Sequence, residues 1–400
     1  MRVLYYSTAY YALHGGSNHS KAFVKFVKEH PSVSEIRVYP TSDLSSNINT
    51  NDKILLRRKF FPEIASFKLL LPLRLYRRNQ QNLEGLYKEL LSFEPDVLVV
   101  RLDNNFLQLN KIKKKFPNIT LVTEINASPF DESFKHIQLK SFFQKKEREA
   151  YAECDLNFFI SSFLRKKIMG TKVSLERDFV NHNGFDDTIF NAIKDITVRE
   201  RILRIPNTYN VIGYVGTLDY HKQMPLFIDA FATVKNKYKN TVALIVGGGP
   251  AFDVIKNIVA EKGLSDCFYF TGQIDHDQVH HYLKAFDIAV HHAANDYMSP
   301  LKVFEYLAVK LPVIAPDIPA VREIFEDGKH LLLTKPTAQD IANKLILLLS
   351  KPEVAEEIAD TGHKYVNLNF SWRINVNNII QAVLKIKNIE GHTASAKAST

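Results

Sequence analysis

The sequence is poor in cysteine. Its 400 residues include only Cys154 and Cys267, which stand far apart with no second cysteine or histidine at metal-binding spacing. This excludes a disulfide framework and a cysteine-rich zinc site, and it fits a reducing compartment such as the cytoplasm. No apolar run approaches the ~20 residues that a membrane-spanning helix needs. The first residues, Met1–Tyr6, also lack the charged leader and long apolar stretch of a signal peptide, so we expect a cytoplasmic protein.

Two common nucleotide-binding motifs are also missing. The sequence contains neither GxGxxG nor GxxxxGK[ST], which disfavours a nicotinamide-dependent enzyme and a P-loop ATPase. What stands between the predicted first strand and first helix is an adjacent pair, Gly15 and Gly16. Two residues without Cβ let backbone N–H groups approach an anion at a helix N-terminus, although glycines also favour tight turns for purely structural reasons.

The remaining composition is that of a folded α/β protein. Hydrophobic residues make up 46% of the chain and charged residues 24%, and the length predicts two domains. Short β-branched runs alternate with helical patterns in both halves of the chain, which predicts parallel sheets with helices on both faces. We predict domains over 1–190 and 191–370, a C-terminal helix over 371–388 and a disordered tail over 389–400.

Positive charge is concentrated in the first half. The net charge is +9, and residues 1–190 hold 29 lysines and arginines against 21 acidic residues, a net of +8. Within this half, the stretch 53–78 interleaves eight cations with bulky apolar residues and has one acid, Glu63. This composition is typical of a segment that lies on an anionic membrane surface. A helical excursion packed on the domain with its cations in water remains an alternative, and nucleic acid is disfavoured because no binding motif accompanies the charge.

The second half carries a series of strand-end motifs in a recognisable order. They are Tyr214–Lys222, Leu244–Pro250, Phe270–Ile274, Ser299–Ala308 and Leu311–Ala315. Their order and spacing resemble the nucleotide-sugar domain of family-4 glycosyltransferases, which are retaining enzymes of the GT-B fold.

The first half resembles the same family in fewer places. It has the Gly15-Gly16 loop, the block Phe159–Leu164 before a helix and the exit motif Asn181–Asp186, and Ser371-Trp372 precedes the last helix. The resemblance implies the GT-B architecture, with two Rossmann-like parallel-sheet domains facing a central cleft. It also implies that the last helix crosses back onto the first domain.

The donor site that the resemblance implies depends on cations at strand and helix ends. Lys222 follows Gly216 and stands where positive charge would stabilise a departing nucleoside diphosphate. The family has a basic residue where Thr217 stands here, and Lys302, at the start of the next motif, is placed to replace that charge. An isolated lysine at a helix start is otherwise usually solvated surface.

Glu305 is the matching residue for ribose binding, since a carboxylate early in a helix can accept hydrogen bonds from both ribose hydroxyls. A glutamate in the first turn can also serve only the helix dipole. The family's second glutamate is replaced here by Tyr297, with Asp296 beside it, so that either Asp296 or main-chain N–H groups near Ser299 would hold the sugar. The predicted donor-binding set is Gly15, Gly16, Gly216, Thr217, Lys222, Gly248, Asp296, Tyr297, Ser299, Pro300, Leu301, Lys302 and Glu305.

Glu124 and Asn126 end a strand of the first half, where relatives place residues that contact the sugar or the acceptor. A carboxylate there can act as a base or orient an acceptor hydroxyl, or it can simply point to solvent. With Lys222, these two residues complete the predicted catalytic set, and Arg101 ends the neighbouring strand. Two loop histidines near the glycine pair, His14 and His19, are most simply incidental.

No metal ion or other cofactor is expected. His291 and His292 end a strand near Asp296, but neighbouring strand residues point to opposite faces of a sheet, which disfavours a shared metal. The family that the chain resembles also lacks a metal-binding DxD motif.

The resemblance therefore implies a retaining glycosyltransferase, and the composition of 53–78 adds the expectation that it can sit on the inner face of the cell membrane. It would move a sugar from a UDP-linked donor to a lipid- or polysaccharide-linked acceptor in cell-surface glycan synthesis. Two alternatives stay open: a sugar-nucleotide epimerase of the same fold, and a catalytically idle nucleotide-sugar-binding subunit. The missing cation at Thr217 and the tyrosine at 297 favour the second alternative.

Overall fold

A computed structural model of the chain divides into two compact units. The first comprises Met1–His182 with Asn375–Thr400, and the second comprises Asn183–Ile374. The basic stretch 53–78 and His14 lie outside the described residues. The structure describes residues 1–11, 15–41, 82–102, 109–128, 140–190 and 198–398.

The first unit is built on a six-stranded parallel sheet with the order β2-β1-β3-β4-β5-β6. Its central strands are buried on both faces, as the near-continuous apolar runs in the sequence require of a parallel sheet. The strands are β1 Arg2–Tyr6, β2 Glu35–Tyr39, β3 Val97–Leu102, β4 Thr120–Ile125, β5 Leu156–Phe159 and β6 Asp178–Val180. The helices are α1 Gly15–Glu29, α2 over 82–93, α3 Leu109–Lys115, α4 Lys140–Ala152 and α5 Ser162–Met169.

The second unit has its own six-stranded parallel sheet, with the order β12-β11-β10-β7-β8-β9. The strands are β7 Asn210–Val215, β8 Thr241–Val246, β9 Phe268–Phe270, β10 Ile288–Val290, β11 Val313–Pro316 and β12 Leu332–Thr334. The helices are α6 Met224–Lys237, α7 Phe252–Glu261, α8 Val279–Leu283, α9 Leu301–Ala308, α10 Pro319–Arg322, α11 Ala338–Ser350 and α12 Pro352–Asn369. The predicted alternation of strands and helices is confirmed in both units.

The last helix, α13 Trp372–Ala398, begins in the second unit and continues in the first. The Asn375 side chain donates to the His182 carbonyl at 2.7 Å, and Lys387 reaches Asp96 at 3.3 Å. The helix continues past residue 389, where the sequence predicts a disordered tail. The sequence from 389 to 400 contains three alanines, which have high helix propensity, but also serines, threonines and a glycine, which have lower propensity. No helix in the described ranges is both long and apolar enough to cross a membrane.

Because the strands within each sheet are parallel, their carboxyl ends lie along one edge of that sheet. Ligands of open α/β sheets bind at this edge. In the second unit, the edge carries the loops that follow β7, β8, β9 and β10. In the first unit, it carries the residues at the ends of β1, β3 and β4.

Candidate functional site

The turn after β7 requires glycine at position 216. Gly216 has a φ of +149°, and a Cβ added to it would lie 2.3 Å from the ammonium nitrogen of Lys302. A side chain at this position would therefore displace the lysine and strain the backbone. The glycine lets an ammonium group rest directly against the end of a strand.

Lys302 is the central cation of the second unit. Its Nζ donates a hydrogen bond to the carbonyl of Val215 at 2.6 Å and lies 4.9 Å from the centre of the Tyr214 ring. Burial, with a contribution from the nearby charge of Lys222, lowers the pKa of Lys302 to about 7, and the charge of Glu305 partly opposes this shift. The charged form of Lys302 is therefore disfavoured in the folded protein, and a nearby anion would stabilise it.

Lys222 supplies the second positive charge. It is half-buried at the end of the one-turn helix Tyr220–Lys222, directly before α6. Its charge contributes to the lowered pKa of Lys302 and also to those of His291 and His292, which places all four side chains in one electrostatic neighbourhood. Two lysines close to the end of one strand form a site suited to a multiply charged anion such as a diphosphate.

The two histidines at the end of β10 add no charge of their own. Burial lowers the pKa of His291 well below its usual value, and it lowers that of His292 to about 4, with the two lysines adding to both shifts. His292 Nε2 also lies 3.1 Å from the Gln223 carbonyl. Among the described residues no cluster of His, Cys, Asp and Glu is arranged to hold a metal ion.

Glu305 lies one helical turn after Lys302 in α9, and it is buried. Its Oε1 is 3.1 Å from Nε2 of His276, a residue in the turn after β9. Within the described residues no group bonds the second oxygen, Oε2. The sequence analysis found Glu305 by its motif but missed His276, because the pair is 29 residues apart and no spacing rule connects them.

The segment before α9 has Tyr297 where the family that the sequence resembles has a second glutamate. Tyr297 is buried, and the Asn295 amide lies 3.4 Å from its hydroxyl, while Asp296 is exposed. Ser299 is buried, and its carbonyl accepts a 2.6 Å hydrogen bond from the Asn183 side chain. Ser299 is therefore held in place by Asn183, the first residue of the second unit.

Main-chain donors are available where α9 begins. Pro300 is the residue before the helix, and Leu301 and Lys302 are its first two residues. The first N–H groups of a helix have no partner within it, so these two face outward as donors. This is the arrangement that favours an anion at a helix N-terminus.

Two other predicted donor residues have clear structural positions. Gly248 packs closely, since a Cβ there would lie 3.0 Å from the backbone nitrogen of Gln273. Its carbonyl accepts a hydrogen bond from Leu218 N at 2.9 Å, which ties the β8 loop to the β7 loop. Thr217 is exposed beside Gly216 and brings no charge to the site.

In the first unit, Glu124 lies at the end of β4 with both oxygens engaged. His19 Nε2 is 3.0 Å from Oε1, and the Tyr5 hydroxyl donates to Oε2 at 2.9 Å. Burial raises the pKa of this carboxyl, but the charge and hydrogen bond of His19 and the charge of Arg101 outweigh that effect and lower it. Glu124 is therefore an ionised, buried acceptor rather than a solvent-facing side chain.

Asn126 is placed differently, two residues farther along. It is half-buried, and its Nδ2 is inaccessible to solvent without a hydrogen-bond partner in the described part of the chain. An amide donor in this condition is suited to a ligand oxygen. The glycine pair, Gly15 and Gly16, begins α1 at the same sheet edge.

His19 lies in α1 rather than in a loop, one turn after Gly15, and it is buried against Glu124. Sequence reasoning assigned His19 no role. The signal that could have identified it is its position in the first turn of a helix that starts at the carboxyl edge of the sheet.

Replacing Lys302 by Met should stabilise the unliganded protein while weakening anion binding. The pKa of Lys302 is about 7 in the folded chain and 10.5 in the unfolded chain. Its protonation therefore lowers the free energy of unfolding by its full amount below pH 7, and this destabilisation decreases as the pH rises from 7 to 10.5. We expect the melting temperature to rise by roughly 5 °C at pH 7, and the difference to shrink at pH 9.5. Affinity for inorganic pyrophosphate should fall.

Thermal melts at both pH values and pyrophosphate titration would measure these effects. The exposed Lys237, at the far end of α6, provides the matched control, since Lys237→Met should change neither property. A melting temperature for Lys302→Met below that of the wild-type protein at pH 7 would mean that Lys302 is a structural cation.

The sequence comparisons identify glycosyltransferases that are similar to part of this chain. Residues 195–365 match the family model of glycosyl transferases group 1. The chain is 32% identical over 209 residues to TuaC of Bacillus subtilis, named as a teichuronic acid biosynthesis glycosyltransferase, and the match covers 48% of this chain and 50% of TuaC. It is 23% identical over 151 residues to alpha-D-kanosaminyltransferase of Streptomyces kanamyceticus, covering 38% and 39%. The chain thus spans about half or less of the length of these curated relatives.

The structural comparisons cover the whole chain. Sucrose-phosphate synthase of Thermosynechococcus elongatus has a TM-score of 0.70 at 15% identity, covering 97% of this chain and all of that one. HepE of Anabaena, solved with UDP, has a TM-score of 0.69 at 19% identity, covering 96% of this chain and all of HepE. The chain therefore has the two-domain, Rossmann-like GT-B fold that its sequence predicts, and its residues 195–365 match the glycosyl transferases group 1 family.

Proposed function

We propose that the protein is a retaining glycosyltransferase. It transfers a sugar from a UDP-linked donor to a lipid- or polysaccharide-linked acceptor in cell-surface glycan synthesis. The observation that carries the proposal is the Lys302 ammonium held against Gly216, with Lys222 nearby and Glu305 one turn farther along α9. The names of the relatives support glycan synthesis, and the HepE complexes with UDP and UDP-glucose support the donor class.

The spacing within α9 suits a nucleoside diphosphate. Residues three apart on a helix face the same side, with Cβ atoms about 5–6 Å apart. A diphosphate at Lys302 and at the first N–H groups of α9 would thus bring the adjoining ribose to Glu305. There the free oxygen, Oε2, can accept hydrogen bonds from the ribose hydroxyls.

The two lysines then stabilise the charge that forms during transfer. As the bond between the sugar and the diphosphate breaks, its electron pair passes to the departing phosphate oxygen, and Lys222 and Lys302 face that growing negative charge. In this proposal they supply the positive charge that a metal ion would otherwise provide, so no cofactor is required.

Retention of configuration is proposed to follow from attack on the same face of the sugar. The acceptor hydroxyl attacks the anomeric carbon from the side that the phosphate leaves, and its proton passes to the leaving phosphate. No enzyme nucleophile or separate base is needed. Glu124 need not act as a base, which is consistent with both its oxygens being bonded to protein.

In the first unit we assign acceptor or sugar contacts to the sheet edge at Asn126. Its buried Nδ2 has an unused donor for a hydroxyl oxygen. Glu124 supports this contact indirectly. Its 3.0 Å interaction with His19 holds the end of β4 in place, shortly before Asn126.

Replacing Lys222 by Ala should slow sugar transfer by about two orders of magnitude, which is the scale for losing one charged stabiliser of the leaving group. The substitution should leave the melting temperature close to that of the wild-type protein, because the side chain is only half-buried. Transfer would be followed by product formation from UDP-sugars, and the anomeric configuration of the product would be read by NMR.

The control is Lys237→Ala at the opposite end of α6, which should transfer at the wild-type rate. An inverted anomeric centre would contradict retention. Conversion of the donor without any acceptor would indicate a sugar-nucleotide epimerase, and UDP binding without turnover would indicate an idle binding subunit. The latter is the alternative that the buried Tyr297 favours.

We further propose that the first unit rests on anionic lipid, which would bring the enzyme to a membrane-borne acceptor. The sequence of 53–78 is the basis of this proposal. Exposed lysines on two neighbouring helices add to it, at Lys114 and Lys115 of α3 and at Lys145 and Lys146 of α4. Phe142 in α4 is also exposed and could enter the lipid interface.

Glutamine at five cations of that stretch should abolish co-sedimentation with anionic vesicles at low salt, since each cation contributes ~1 kcal/mol at such a surface. The positions are Arg57, Arg58, Lys59, Arg77 and Arg78. Transfer to a soluble acceptor should survive. Glutamine at the exposed Lys237, Lys256 and Lys351 of the second unit is the matched control and should leave vesicle binding intact. Wild-type protein that never binds anionic vesicles would instead favour a soluble acidic glycan as the partner.

A further inference from the structure

His276 touches the carboxylate to which we assign ribose binding. Its Nε2 lies 3.1 Å from Glu305 Oε1, while Glu305 itself is largely shielded from solvent. A buried carboxylate that keeps one oxygen for a ligand needs a partner that fixes the other. His276 is that partner among the described residues, and it reaches Glu305 from a separate loop.

The position of His276 is itself fixed by its surroundings. The Phe190 ring packs against the imidazole in a T-shaped arrangement, with ring centres 6.1 Å apart. Burial lowers the pKa of His276, but the hydrogen bond and charge of Glu305, with the charges of Asp186 and Asp277, outweigh that effect and raise it. His280 is a further titratable residue near Phe190. Burial and the charge of His281 lower its pKa, so His280 adds little positive charge that could compete with His276 for Glu305.

We infer that His276 is a positioning residue for ribose recognition: it holds Glu305 by Oε1 so that Oε2 faces the ribose hydroxyls. This inference rests on the proposed function, because it takes the nucleotide site of α9 as given. His276 does not touch the diphosphate in this account. Its loss should therefore reduce discrimination for ribose hydroxyls without reducing affinity for the phosphates.

The test measures dissociation constants for UDP, for 2′,3′-dideoxy-UDP and for inorganic pyrophosphate. A hydrogen bond to a charged group contributes about 1.5–3 kcal/mol, so the wild-type protein should prefer UDP to the dideoxy nucleotide by about 10- to 100-fold. Glu305→Gln should reduce this preference. His276→Phe, which keeps a ring but loses the donor, should reduce it to a similar degree.

Two further variants separate positioning from a general structural role. His276→Gln retains a donor at a similar reach and should recover most of the preference for UDP. His276→Leu removes the donor without adding a ring beside Phe190, and it should behave as His276→Phe does. Pyrophosphate affinity should be unchanged in all three His276 variants, which also shows that the site has folded.

The outcomes distinguish the inference from the proposed function. If Glu305→Gln loses the preference for UDP while His276→Phe and His276→Leu keep it, the role of His276 is overturned and the nucleotide site stands. If the wild-type protein binds neither UDP nor pyrophosphate, or if Glu305→Gln leaves the preference unchanged, the proposed site falls and the role of His276 falls with it. Loss of pyrophosphate affinity in the His276 variants would mean that the histidine acts on the whole site and does not position Glu305 alone.

Discussion

A buried ammonium group at the end of a β-strand is the constraint on which the second unit depends. Lys302 reaches the Val215 carbonyl only because position 216 has no side chain, and it does so in surroundings that lower its pKa to about 7. Such a group costs folding free energy in the empty protein. This cost is consistent with a role in anion binding, because an amine that is already held in position needs no structural rearrangement when the anion binds.

The neighbouring features follow from the same constraint. The Tyr306 hydroxyl accepts the Val215 N–H at 2.8 Å, so α9 bonds to the very residue whose carbonyl holds Lys302. Glu305 in the same helix is paired with His276, which keeps its negative charge localised one turn from the lysine. One short helix therefore carries a cation that bonds to the end of β7, a carboxylate that is paired with His276, and two main-chain donors at its first turn.

Much of the fold was predictable from the sequence. The parallel strands are marked by short apolar runs such as Asn210–Val215 and Thr241–Val246, because a sheet covered on both faces leaves no polar side to alternate. The placement of Lys302 and Glu305 in one helix was also predictable, since both belong to one motif, while their roles in binding remain a prediction. The continuation of α13 beyond residue 388 was not predicted from the sequence. The simple composition of the tail was interpreted as disorder, although several of its residues have high helix propensity.

What the sequence could not show are contacts between distant segments. His19 and Glu124 are 105 residues apart, and Tyr5 and Glu124 are 119 apart, so only the sheet order brings them together. His276 was missed for the same reason. Glu124 was correctly placed at a strand end, but its two bonded oxygens depend on side chains from β1 and α1 that no local pattern connects to it. The role of 53–78 remains a prediction from composition.

The most direct test of the central claim is the proton balance of nucleotide binding. With a pKa of about 7, Lys302 is mostly neutral at pH 8, whereas a bound diphosphate should hold it protonated. Calorimetric titration of UDP at pH 8, in two buffers of different ionisation enthalpy, should therefore show uptake of nearly one proton. This uptake should disappear in Lys302→Met. UDP binding with no net proton uptake in the wild-type protein would contradict the account.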